Sequence, residues 1–251
     1  MGEDVLALIP ARGGSKGIPR KNVMEIGGKP LVAWSILHAR ESSRITRIVV
    51  STDDAEIASI AEHWGAEVPF LRPPEYSEDA SPDIDAFRHA LEYLAGHEAY
   101  RPDLVVHLRP TGPVRRIADI DAAIDLLTRH PEADAVRSVS LARQTPYKMW
   151  ELCDDGTMQP VLRLPDLPDC QSRPRQALPL VYAQNGYVDV LRPRAVLEKN
   201  SMWGNHVLPF VMDTTLVDLD YPEDVEPVER ALALLEQGHD LPREHPGRHP
   251  V

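Results

Sequence analysis

Three observations predict a Rossmann-like α/β fold, a mostly parallel sheet with helices on both faces. Short apolar runs recur: VLALIP (5–10), RIVVST (47–52), DLVVHL (103–108) and ADAVRSVS (133–140). Runs this short and this continuous suit strands covered on both faces. Segments with helical apolar spacing separate them, and strand–helix alternation implies parallel pairing with right-handed crossovers. A glycine-rich loop follows the first run directly, at the strand end where open α/β sheets hold their ligands.

The elements follow in order. Residues 5–10 read as a buried first strand. KPLVAWSILHARES (29–42) reads as a helix, with Pro30 near its first turn and Leu31, Trp34, Ile36 and Leu37 mostly on one side. After the strand at 47–52, DDAEIASIAEHWGA reads as a helix. There Asp53 and Glu56 have capping-box spacing, and Gly65 suits the C-terminal cap. EVPFLR (67–72) reads as a short strand, and PPEYSEDASP as a loop leading to a helix at 84–95. Strand 103–108, helix 117–129 and strand 133–140 complete the alternation.

The rhythm then breaks. Residues 141–204 hold Pro, Arg and short β-like pieces (PYKMWEL, TMQPVLRL, LVYAQNGYVDVL) and read as an inserted arm that packs on a partner. TTLVDLDYP returns as a strand and PEDVEPVERALALLEQ as a helix. The expected organisation is an α/β domain from 1–140 and 205–238, an arm at 141–204 and a frayed tail at 239–251.

Composition excludes several classes. Of 251 residues, 43% are hydrophobic and 26% charged, as in ordinary soluble domains. The formal net charge of -12, with no basic stripe outside one loop, argues against a nucleic-acid partner. No run approaches the roughly 18 apolar residues of a membrane span. Acids precede the first apolar run, unlike a secretory signal. Cys153 and Cys170, in no metal spacing, suit a reduced cytoplasmic protein. His38, His63, His89, His97 and His107 read as embedded in helices or strands and receive no catalytic role.

The loop IPARGGSKGIPRKN (9–22) contains no acid, in a strongly acidic chain. Gly13, Gly14 and Gly17 admit backbone N–H groups close to an anion. Arg12, Lys16 and Lys21 can neutralise it, and polyphosphate fits best. The spacing is neither GxxxxGK[ST] nor GxGxxG. Far downstream, Asp218 and Asp220 flank Leu219 on a predicted strand, so both carboxylates share one side. Such a pair repels unless a cation lies between, and Mg²⁺ is the natural hard cation. The alternative is that one of the two caps the helix beginning at Pro222.

The loop resembles the signature of the CMP-sialic acid synthetase (acylneuraminate cytidylyltransferase) family. GGKPLVAWSI, VVSTDDAEIA, HLRPTGPVR, RQALPLVYAQNGYVDV and DLDYPEDV resemble later segments of that family, in family order over residues 5–235. The resemblance implies transfer of CMP from CTP to a hydroxyl of an acidic, sialic-acid-like sugar, with release of pyrophosphate. It implies nucleotide contacts from Ala11, Arg12, Gly13, Gly14, Ser15, Lys16, Lys21, Asn22 and Ser81, of which Arg12, Lys16 and Lys21 serve catalysis. It implies Mg²⁺ on Asp218 and Asp220, acceptor contacts from Arg109, Arg175, Gln176 and Asn185, and a homodimer whose arm closes the acceptor pocket. An arginine on the acceptor carboxylate is expected; Arg143, Arg163 and Arg173 are alternatives to Arg175, and Asn185-Gly186 also fits an ordinary turn.

Two departures stand out. Arg109 occupies the position where sialic-acid users commonly carry Gln, and an added cation suggests an acceptor with more negative charge, unless a local acid pairs with it. EDASPDID replaces the family's Ser-rich base-reading segment, with Asp83 where Ser is usual. That leaves CTP and GTP open as donors, and a keto-deoxy sugar acid, a legionaminic or pseudaminic type acid, or a phosphonate open as acceptors. Outside enzymes, a non-catalytic nucleotide-binding scaffold is the remaining reading, and the intact acid pair argues against it.

Overall fold

The computed structural model describes residues 3–15, 17–78, 80–213, 218–239 and 241. In chain order the elements begin with strand β1 (Val5–Pro10), the short strands β2 (Glu25–Ile26) and β3 (Lys29–Pro30), helix α1 (Leu31–Glu41), strand β4 (Arg47–Ser51) and helix α2 (Ala55–His63). Helix α3 (Asp83–His97), strand β5 (Leu104–His107), helix α4 (Ile117–Thr128) and strand β6 (Ala135–Leu141) follow. Then come β7 (Trp150–Leu152), β8 (Met158–Pro160), β9 (Tyr182–Leu191), α5 (Pro193–Leu197), β10 (Val207–Met212) and α6 (Val225–Glu236).

Six strands form one sheet in the order β10-β6-β9-β5-β1-β4. All pairs are parallel except those made by β9, which runs antiparallel between β5 and β6. The expected mostly parallel sheet is present, as a mixed sheet. Strand alternation divides its two faces. Val5, Ala7 and Ile9 of β1 pack with Val32 and Ile36 of α1, Ile57 of α2 and Ile120 of α4. Leu6 and Leu8 face the other way, onto Phe87, Leu91 and Leu94 of α3 and Val196 of α5. No helix among the described residues is long and apolar enough to cross a membrane.

A third core explains how the charged loops are held. Ile18 of the basic loop, Leu219 of the acid segment, Trp34 of α1, Val114 and Val228 and Leu232 of α6 bury one another. Leu219 is fully buried, and its N–H donates to the Thr111 carbonyl at 2.7 Å. One apolar cluster therefore anchors both the loop and the acids, across some two hundred residues of chain.

Several expectations are corrected. LVYAQNGYVDVL is expected in the arm from its position after the break; instead Tyr182–Leu191 is an inner strand of the main sheet. Its alternation is masked because Val188, Val190 and Leu191 are buried on both faces. Residues 67–72 form no strand, only isolated bridges of Glu67 and Leu71 to the β4 region. The cap of α2 is Asp54, whose Oδ1 accepts from the N–H groups of Glu56 and Ile57; Asp53 is released for another task. Residues 218–220 belong to no strand, and residues 214–217 of that expected strand lie outside the described residues. Between β6 and β9 the arm carries the small β7–β8 hairpin, with Trp150, Leu152 and Met158 exposed on it and Leu180 exposed just before β9.

Candidate active site

The basic loop, the segment after β5 and the start of α3 enclose a cavity of about 310 Å³. It is lined by Arg12, Gly14, Ser15, Lys21, Asn22 and Arg72 on one side and by Ser81, Asp83, His107, Arg109 and Thr111 on the other. It opens at the carboxyl ends of β1 and β5, where an open α/β sheet places its ligand.

The loop is built by internal contacts. Ala11 is buried and donates its N–H to the Ser51 carbonyl at 3.0 Å. Asn22, also buried, donates from Nδ2 to the Arg12 carbonyl at 2.8 Å, which ties the two ends of the loop together. Arg12 Nη1 donates to the Glu78 carbonyl at 2.8 Å. The three glycines have separate reasons. Gly13 lies where an added Cβ would sit 2.7 Å from Asp54 Oδ2, and its N–H donates to Asp53 Oδ1 at 2.9 Å. Its N–H is thus engaged by α2's approach and is not one of the groups presented to the cavity. Gly14 and Ser15 line the cavity. A Cβ on Gly17 would sit 2.2 Å from the Asp220 carbonyl oxygen, so this glycine lets the loop touch the acid segment. Arg20 is ion-paired with Asp54 and Glu56, and its hydrogen bond to Asp54 is the main cause of the lowered Asp54 pKa. Lys16 lies outside the described residues.

Lys21 joins the loop to the acids. Its Nζ, on a largely buried side chain, donates to the Leu219 carbonyl at 2.9 Å and to Asp220 Oδ1 at 3.0 Å. With Leu219 buried between them, Asp218 and Asp220 both lie on the exposed side, as alternation implies even without a strand. Neither caps α6: the turn before it, Pro222–Asp224, is closed by Asp224, whose Oδ2 accepts from the N–H groups of Asp220 and Tyr221 at 2.9 and 2.8 Å. The Asp218 carboxyl nestles against Gly112 and Gly186. Desolvation there, and repulsion from Asp220, push its pKa up against the pull of buried Arg115, Arg109 and Lys21. The donor set fits Mg²⁺, which takes one or two carboxylates and leaves its other positions to water and phosphate. Among the described residues no group of three or more His, Cys, Asp or Glu side chains forms a protein cage.

The acceptor candidates divide. Arg109 lines the cavity, but its Nη1 is bound to Asp189 Oδ2 at 2.9 Å and its Nη2 lies 3.7 Å from Asp83 Oδ2. A local acid does pair with it. Asn185 sits in a register shift of β9 and donates to Ser140 Oγ at 2.9 Å, while Gly186 takes φ 67°; this is a bulge within a strand, not a turn. Arg175 and Gln176 are exposed on the arm and do not line the cavity within the chain; Arg175 Nη2 donates to the Ala142 carbonyl at 2.6 Å. Ser81 lines the cavity and its Oγ donates to the Glu75 carbonyl at 3.2 Å.

Sequence reasoning missed three parts of this site. Arg72 is buried, lines the cavity, and its Nε and Nη2 have no partner among the described residues. A charged residue closing an apolar run, as in EVPFLR, was its signal. Arg115 is fully enclosed and donates to the carbonyls of Arg109 and Tyr187 and to Ser35 Oγ; burial lowers its pKa to about 10. Asp53 supports the loop through Gly13.

A glycine-threaded cationic loop lines a cavity at the strand ends of a mixed α/β sheet, and an acid pair outside the cavity lining is joined to that loop through Lys21 and Gly17, an arrangement suited to nucleotidyl transfer. The family model described as Cytidylyltransferase matches residues 6–149, more than half of the chain. The chain belongs to the cytidylyltransferase family. It is 30% identical to the CMP-N,N'-diacetyllegionaminic acid synthase of Legionella pneumophila over 92% of this chain and 97% of that protein. It is 30% identical to the N-acylneuraminate cytidylyltransferase of Escherichia coli, over 88% of this chain and 50% of that one. Its fold is that of CMP:2-keto-3-deoxy-manno-octonic acid synthetase, solved in complex with CTP, with a TM-score of 0.67 and 17% identity over 94% of this chain and 99% of that one.

Proposed function

We propose that this cytidylyltransferase transfers CMP from CTP to a hydroxyl of an acidic, nonulosonate-type sugar and releases pyrophosphate. The relatives named for sialic and legionaminic acids support this acceptor class. The observation that carries the reading is the junction of loop and acids: Gly17 against the Asp220 carbonyl and Lys21 on Asp220. Segments in direct contact can act on one triphosphate.

In this reading Gly14 and Ser15 receive the phosphates with Arg12 and Lys21, and Lys16 adds its charge from the same loop. Asn22 holds the loop closed. Ser81 and the buried donors of Arg72 orient the nucleoside end. Asp218 and Asp220 would hold Mg²⁺, which when bound supplies charge neutralisation at the phosphoryl oxygens. The acceptor hydroxyl attacks the α-phosphorus in line, and its bond forms as the bond to pyrophosphate breaks. Phosphoryl transfer of this kind asks for positioning and charge stabilisation more than for a protein nucleophile.

The exposed Trp150, Leu152, Met158 and Leu180 suit burial against a second copy, and a homodimer would bring a partner's Arg175 and Gln176 within reach of the acceptor. Free Cys153 and Cys170 suit a reduced, cytoplasmic setting.

The test is pyrophosphate release with each of the four nucleoside triphosphates against N-acetylneuraminic acid, N,N'-diacetyllegionaminic acid, a pseudaminic acid, a keto-deoxy sugar acid and a phosphonate. CTP with a nonulosonate should give one pyrophosphate per CMP-sugar. Turnover only with GTP, or only with a phosphonate, would overturn the assignment. Arg12→Ala and Lys21→Ala should each lower turnover by about 10²-fold.

A further inference from the structure

Three polar residues form a row across the face of the sheet that carries α3. His107 of β5 is paired in register with Asp189 of β9, and Asp189 in turn with Arg137 of β6. Alternation puts all three on the side of Phe87, and the His107 ring meets the Phe87 ring edge-on at 4.7 Å. Arg109 lies two residues beyond His107 and reaches back to the row. Asp189 is 4% exposed and receives Arg109 Nη1 at 2.9 Å, Arg137 Nη2 at 3.2 Å and Arg137 Nε at 3.3 Å. Arg137 is fixed from its other side, its guanidinium 4.8 Å over the Trp203 ring.

A buried carboxylate shared by two guanidiniums does two things to Arg109. It fixes Nη1 by a hydrogen bond, whereas Nη2 lies 3.7 Å from Asp83 Oδ2, close enough for charge attraction but beyond hydrogen-bond reach, and so keeps its N–H groups for a ligand. It also removes the surplus charge, because Arg109 and Arg137 are matched by Asp189 and Asp83. His107, enclosed beside these arginines, is held neutral: burial lowers its pKa well below the ordinary value, and the arginines lower it further. The cation that replaces glutamine at position 109 therefore does not make the cavity more basic.

We infer that Asp189 is a positioning residue for acceptor binding: it holds Arg109 as a charge-matched donor that reads a neutral oxygen of the acceptor, a hydroxyl or acylamido carbonyl, and not a second anionic group. This rests on the acceptor reading proposed above. The Asp189 carboxylate acts through Arg109 and touches no substrate.

The test is a two-residue cycle of Arg109→Gln, Asp189→Asn and both together, with steady-state KM for CTP and for N,N'-diacetyllegionaminic or N-acetylneuraminic acid. Each single change should raise the acceptor KM about tenfold, the loss of one charge-assisted hydrogen bond, with the CTP KM held. The double variant should match the singles at about tenfold. A hundredfold, multiplicative loss would overturn the inference, as would equal increases in both KM values or an unchanged acceptor KM. If Asp189→Asn does not fold, Asp189→Glu replaces it, keeping the charge but displacing the carboxylate by one methylene, with the same expected split. A crystal structure of the Asp189 variant gives a readout independent of turnover: the Arg109 guanidinium should leave its place, and an unmoved guanidinium overturns the inference. Absence of turnover with any acidic sugar would instead sink the acceptor reading itself, and leaves this structural outcome standing as the judge of Asp189.

Discussion

Gly17→Ala is the sharpest perturbation available, because it adds a single methyl at the junction of the two charged segments. The backbone at Gly17 does not need the left-handed region, so strain in φ plays no part. The effect is steric: the new Cβ would lie 2.2 Å from the Asp220 carbonyl oxygen, where carbon–oxygen contacts settle at about 3.3 Å or more. Backbone faces backbone, so no side chain can swing aside, and the loop and acid segment must part by about 1 Å. Overpacking of this size costs about 1–3 kcal/mol in stability, which a folded enzyme survives. A 1 Å misplacement of reacting groups costs about 10² in rate. Pyrophosphate release should thus fall about 100-fold while the variant melts as one cooperative transition. The reasoning fails if Gly17→Ala turns over at the wild-type rate, or if Gly14→Ala, whose Cβ would meet nothing within 4 Å, loses activity through a fall in thermal stability.

Other consequences follow from perturbed carboxylates, one exposed and one buried. Asp218 has a raised pKa in the ligand-free fold, chiefly from desolvation, so the native state binds a proton more readily than the unfolded chain. Its ionisation then lowers stability as pH rises from the ordinary carboxylate value of about 3.9 through the raised one. Asp218→Asn should therefore raise Tm at pH 7 without nucleotide, by a small amount because solvent screens this exposed carboxylate, have no such effect at pH 3, and abolish activity; a lower Tm at pH 7 would contradict this. Asp134 is fully buried; burial alone would raise its pKa, but Lys199, the N–H groups of Asn205 and His206, and Arg194 hold it well below the ordinary value. Its contribution is present at neutral pH and is lost as pH falls below about 4. Asp134→Ala should cost about 3 kcal/mol in urea denaturation at pH 7 and flatten that acid dependence, and a loss under about 1 kcal/mol would refute its role as a tether of the Lys199–His206 segment.

Much of the fold was legible because it rests on local rules. The runs at 5–10, 47–52 and 103–108 became β1, β4 and β5, and α1, α3 and α4 formed within two residues of the expected bounds. What the sequence hid is non-local. No spacing marks Tyr182–Leu191 as an inner antiparallel strand, since its place depends on what β5 and β6 leave between them. Asp53 and Asp54 are equivalent as neighbours; only the approach of Gly13 decides which caps α2 and which holds the loop. The basic loop and the acid pair stood out in the sequence as charged segments, but the contact between Lys21 and Asp220 did not, because it accompanies the packing of Ile18 and Leu219 in one core. The extra charge of Arg109 was legible, and its neutralisation by Asp189 was not, because the partner lies 80 residues away.

The central claim is that loop and acids bind one triphosphate between them. A crystal structure with CTP and Mg²⁺ tests it most directly. It should place the phosphates on the backbone of Gly14 and Ser15, with Lys21 Nζ turned from Asp220 to a phosphate oxygen and the cation on Asp218 and Asp220. A nucleotide bound elsewhere, or Lys21 still seated on Asp220 beside a fully occupied cavity, would contradict it.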